Sequence, residues 1–102
     1  MSTLSVGPGV IRETVRLAAL EVPGVVRVGR GGARWRGALA GSPVRVRVRD
    51  GRVHVTLWVV VRPRQQLVPL TKQVRDAVGT AVVRLLGLEL GGITVLVDGV
   101  GA

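Results

Sequence analysis

His54 is the only histidine among 102 residues and cysteine is absent, so acid–base or metal chemistry would rest on His54 and six carboxylates: Glu13, Glu21, Asp50, Asp76, Glu89 and Asp98. Catalytic and metal sites need such groups to converge, with ligand-type spacing or an orienting partner for the base. Here the carboxylates fall on separate segments, Asp50 is accounted for by a turn, and His54 stands in an alternating run with no predicted partner. It reads as a solvated strand residue. The glycines match neither the dinucleotide-binding spacing nor a Gly-Lys-Ser/Thr ending. No catalytic, cofactor-binding or metal-binding residue is assigned, and no enzyme, cofactor or small-molecule substrate is expected.

Arginine is the residue type with chemistry to offer, and that chemistry is anion recognition. In VRVRVRDGRVHVTLWVVV, residues 44–61, Arg45, Arg47 and Arg49 alternate with valines, then Asp50-Gly51 intervenes and the alternation resumes. Period two on both sides of Asp-Gly predicts a hairpin with a type I′ turn, because both residues tolerate positive φ. The expected register sets Arg49 opposite Arg52, Val48 opposite Val53, Arg47 opposite His54 and Val44 opposite Leu57. One face is then aliphatic and needs a cover. The other carries Arg45, Arg47, Arg49, Arg52 and His54, a candidate face for an anionic partner, followed by Trp58 and Val60. With Leu96 these last two form a candidate self-association surface, since apolar side chains on an uncovered face call for a partner. Like charges facing each other across strands are unfavourable unless an anion or solvent screens them. The plain alternative is that the arginines keep the hairpin soluble and blunt its edge.

The formal charge of +9 has the same two readings. It suits an anionic surface, nucleic acid or an acidic protein. Fourteen of the fifteen cations are arginine, and the heavy use of Ala, Gly, Val and Arg also fits a GC-rich genome or a hot habitat. No apolar run approaches the roughly 18–20 residues of a membrane span, and no basic leader precedes an apolar stretch. A soluble, cytoplasmic chain is expected, with any membrane contact peripheral at the inner face.

The elements that position these residues follow from periodicity. Gly7-Pro8 suits a helix start, and Ile11, Val15, Ala18 and Ala19 recur at helical spacing until Val22-Pro23-Gly24 ends it. Val25, Val26 and Val28 suggest a short strand. Residues 29–43 form an expected flexible Gly/Arg loop holding Arg30, Arg34, Trp35 and Arg36, in which Trp35 either stacks on a base or shelters the sheet. A second helix opens near Pro69 and closes at Gly87, with Leu70, Val74, Ala77, Val78, Ala81, Val82 and Leu85 on its apolar face and Gly79 marking a close approach to the sheet. Gly91-Gly92 introduces a last strand from Ile93 to Val97. The pattern is one domain over residues 1–102, an α+β two-layer sandwich with a mixed sheet of about four strands around the central hairpin and two helices packed on one face.

Three runs carry a family pattern: LAALEVPGV from Leu17 to Val25, LWVVV from Leu57 to Val61, and Leu86-Gly-Leu88 followed by ITVLVDGV from Ile93 to Val100. Together they resemble the bacterial alkaline shock protein family of general and envelope stress response proteins. Arg62-Pro63 stands where members tend to have Tyr-Gly, and the charge is basic where theirs is usually acidic. The resemblance implies a non-enzymatic envelope stress response protein, a self-associating scaffold held at the membrane face by a membrane-anchor protein. The alternative, from the residues alone, is a module that binds nucleic acid or an anionic surface through the basic face of the hairpin.

Overall fold

The computed structural model describes residues 6–29 and 42–101. Helix α1 spans Pro8–Leu20, with Pro8 in the first turn, where its missing N–H would have no partner, and Gly7 as the cap residue. Strand β1 is Val25–Val28, β2 Val44–Arg49, and β3 Arg52–Val61. Helix α2, Leu67–Thr80, runs into a π-helical turn at Ala81–Leu85, and β4 is Glu89–Val100.

The hairpin has the register expected of it. Asp50 and Gly51 sit at φ 53° and 75°, as a type I′ turn demands. The pairs run from Arg49↔Arg52 through Arg47↔His54 to Val44↔Leu57. Strand order, which the sequence leaves open, makes β3 the centre. One edge of β3 pairs in parallel with β4 from Arg52↔Glu89 to Val61↔Val100. Its other edge is shared in tandem by β2, opposite Arg52 to Leu57, and β1, opposite Val59 to Val61. Trp58 is the joint between them: its carbonyl accepts from Gly29 N–H at 2.9 Å and its N–H donates to Pro43 O at 2.9 Å. Four strands thus make a mixed sheet three strands wide.

Both helices cover one face of that sheet. Val53, Val55, Leu57, Val59 and Val61 alternate inward along β3 and are buried against Ile11, Val15 and Ala18 of α1 and Leu70, Val74 and Val78 of α2. An all-aliphatic core suits this geometry, because β-branched side chains pack well on a pleated surface. The α2 stripe departs from expectation at its end. Ala81 and Val82 are buried, but Leu85, expected on the apolar face, is 75% exposed. The π-turn, in which Leu86 N–H reaches Ala81 O at 3.3 Å, inserts an extra residue and rotates Leu85 outward, so that Leu86 packs on the core instead. Gly87, at φ 67°, then ends the helix.

Two glycines give contrasting predictions. Gly24 has φ 99°, its carbonyl accepts from Arg62 N–H at 2.8 Å, and a Cβ there would meet the Gln65 side chain at 2.7 Å. Gly24→Ala is expected to cost about 1–2 kcal/mol. At Gly79 the helix does come close to the sheet, yet a Cβ would rest at 3.4 Å from Ile93 and Leu90, the near limit of ordinary contact. Gly79→Ala is expected to gain up to about 1 kcal/mol of helix propensity. Urea denaturation of the two variants checks both signs.

Candidate interaction surfaces of the sheet

The face of the sheet turned away from the helices holds the residues assigned above to the anionic-partner and self-association surfaces, while Arg30, Arg34, Trp35 and Arg36 of the expected flexible loop lie outside the described residues. Arg45, Arg47, Arg49 and Arg52 are exposed or half-exposed and His54 is half-buried. Arg27, opposite Val60 in the β1–β3 register, joins them on this face. The Arg45 guanidinium lies over the Trp58 ring, 5.2 Å from its centroid, a cation–π contact that holds the ring half-covered. Arg45, Arg47, His54, Thr56 and Trp58 line a basin of about 240 Å³. Among the described residues the one ion pair is Arg16–Glu13 on α1. The hydrogen bond from Arg16 holds the Glu13 carboxyl below the usual carboxylate range. The hairpin arginines have no carboxylate within ion-pairing distance among the described residues.

His54 has a structural occupation. Its imidazole lies over the backbone of Gly91, where a Cβ would overlap the ring, and beside Gly92, where a Cβ would sit 3.7 Å from Nδ1. Gly91-Gly92, expected to precede the last strand, lies inside β4, where a bulge accommodates the ring. No cluster of three or more His, Cys, Asp or Glu side chains that could hold a metal occurs among the described residues.

The apolar zone is narrower than its sequence suggests. Trp58 and Leu96 are directly opposite in the parallel β3–β4 register, and Leu96 is 40% exposed. Val60, expected on the open face, is only 2% exposed. Gly101 lies against it, where a Cβ would be 3.2 Å from its Cγ1. Strand β4 itself is a surface that periodicity does not reveal. Among the described residues it pairs only with β3, so that from Ile93 to Val97 its other edge meets no strand among them. A groove of about 450 Å³ between α1 and α2, lined by Leu17, Ala18, Ala77 and Ala81, is apolar with Glu21 and Arg84 at its rim. The trace of that groove in sequence is the run of small residues on both helices.

The model of the alkaline shock protein family, described by a cell envelope-related function, matches residues 1–102. The chain belongs to the alkaline shock protein family. This is the family whose pattern the three sequence runs carry. No curated protein matches this alkaline shock family chain in sequence. Among solved structures it is similar to the MamM CTD in its copper form, with 17% identity and a TM-score of 0.58 over 90% of this chain and 85% of that one. A zinc-form variant of the MamM CTD gives 17% identity and 0.60 over 92% and 87%, and a manganese-form variant 18% and 0.59 over 91% and 99%. At these identities the likeness is one of fold. No helix among the described residues of the alkaline shock family chain is long and apolar enough to cross a membrane.

Proposed function

We propose that this alkaline shock family chain is a non-enzymatic, self-associating scaffold of the cell envelope, held at the membrane face with the help of a protein partner, and that copies join through β4. The observation that carries the reading is the open edge of that strand. Natural edge strands are blunted by Lys, Pro, bulges or brevity. Residues 89–100, ELGGITVLVDGV, contain no Lys, Arg or Pro. The bulges fall near the two ends, between Leu90 and Gly92 and between Val97 and Gly99, which leaves Ile93 to Val97 regular and unguarded.

The sequence of that stretch favours a second copy as its occupant. Antiparallel pairing about a two-fold axis at Val95 sets Ile93 opposite Val97 and Thr94 opposite Leu96. It also sets Gly92 opposite Asp98 and Leu90 opposite Val100. No charge then meets a like charge, and each Leu96 packs diagonally on the neighbouring copy. Such an isologous contact is self-complementary and closes on a dimer. The half-covered Trp58 and the exposed Leu96 continue the contact on the outer face.

The chain lacks cysteine, so Val95→Cys supplies a single thiol. Paired residues in antiparallel strands are about 4.5 or 5.5 Å apart at Cα, within the range a disulfide spans. Mild oxidation is expected to give covalent dimer from Val95→Cys and none from Val100→Cys, whose counterpart would be Leu90. Leu96→Asp and Trp58→Asp are expected to lower the mass measured by light scattering at high concentration. A wild type that is monomeric at every concentration contradicts the scaffold reading.

A further inference from the structure

We infer that the basic outer face of the β2–β3 hairpin docks directly on the anionic phospholipid surface of a membrane. The inference goes beyond the scaffold reading, because it gives the chain a lipid contact of its own that needs no anchor protein. Arg45, Arg47 and Arg49 follow one another on the same face of β2, about 7 Å apart, and Arg52 stands opposite Arg49. Arg27 extends the row on the same face along β1. All five are open to solvent, and the acidic groups beside them are Asp50 in the turn and Glu89 opposite Arg52. Holding guanidinium groups side by side without ion-paired carboxylates is unfavourable in isolation and becomes favourable when a polyanion lies across them.

A bilayer fits this face better than a nucleic acid does. The major groove admits a helix or a two-stranded ribbon, whereas β4 flanks β3 along its whole length and makes the hairpin part of a three-stranded sheet. Single-strand binders present aromatic rings to successive bases. Of the two rings on this face among the described residues, Trp58 is half-buried beneath Arg45 and the His54 imidazole is packed over Gly91. A bilayer instead asks for a broad row of cations at one level, each strengthening attachment by roughly fivefold near an anionic surface. Pairing about Val95 would also turn the arginine rows of two copies to the same side of one continuous sheet, doubling the charge offered to a plane.

The test is flotation of the full chain with phosphatidylcholine vesicles, with and without phosphatidylglycerol, at low and high salt. Binding is expected only with phosphatidylglycerol, and is expected to fall steeply with salt. Arg47→Glu with Arg49→Glu should weaken it by roughly 25-fold or more. Lys72→Glu with Arg75→Glu, an equal charge change on the solvent side of α2, should weaken it far less. Arg47→Gln with Arg49→Gln repeats the test without charge reversal. Absence of binding to phosphatidylglycerol vesicles at low salt overturns the inference, as does equal loss in the hairpin and helix variants. Release of the protein from vesicles by an equal phosphate concentration of duplex DNA or a single-stranded oligonucleotide would assign the face to nucleic acid. Light scattering on the same variants separates the two readings: charge reversal on the hairpin should leave self-association intact, so loss of lipid binding alone leaves the scaffold standing.

Discussion

Val59→Asp is expected to leave the chain unfolded at room temperature. Val59 is fully buried on the inner face of β3, with Val28 and Val97 its neighbours across the two pairings. A carboxylate there would be surrounded by the aliphatic core with no donor at hand, at a cost of several kcal/mol. A domain of this size has about 5–15 kcal/mol to lose, and its small core puts it toward the low end. The adjacent residue gives the contrast. Val60 is buried too, at 2% exposure, but it lies on the outer face and outside the main core cluster. Val60→Asp has the Arg27 cation opposite it in register, and is expected to cost about 2 kcal/mol while leaving a folded protein. Circular dichroism with urea titration separates the two. Equal damage from both would mean that the sheet buries its two faces alike.

Leu57→Ala is the second large effect. Leu57 heads the fully buried side chains by volume and sits in the middle of β3, opposite Val44 on one side and Val95 on the other. Its removal empties space bounded by two pairings of the sheet and by both helices, which limits how far the walls can collapse. The expected loss is about 3–4 kcal/mol, seen as a fall in melting temperature of roughly 15–25 °C. An unchanged urea m-value would show that the native fold persists around the cavity.

These effects concentrate on β3 because the chain is built around it, and the sequence tells only part of that story. The hairpin register was legible down to single pairs, since the Asp50-Gly51 turn fixes which residues oppose and the alternation fixes which face is buried. The helix stripes were legible for the same kind of reason. Strand order was not, because nothing local in Val25–Val28 or Ile93–Val97 says which edge of β3 each will take. The extent of β4 was hidden by Gly91-Gly92, which reads as punctuation and serves instead as room for the His54 ring. Leu85 was misplaced because the π-turn that rotates it outward is set by how α2 meets the sheet and leaves no mark in residue type. Val60 was read as open because alternation gives a residue's face and does not tell what packs against it, Gly101 among its neighbours. The arginine row was plain in the sequence, while the open β4 edge beside it became visible only with the topology.

The central claim, that copies of this chain join through β4, is tested most directly by hydrogen exchange of the β4 backbone amides as protein concentration is raised. Amides pointing away from β3 between Ile93 and Val97 face solvent in a single copy and a neighbouring strand in a pair. The account predicts that they exchange rapidly in dilute protein and become protected as concentration increases, while the rest of the sheet stays unchanged. If those amides exchange at the same rate at every concentration, or if new protection appears only elsewhere, the β4 edge is not where copies meet.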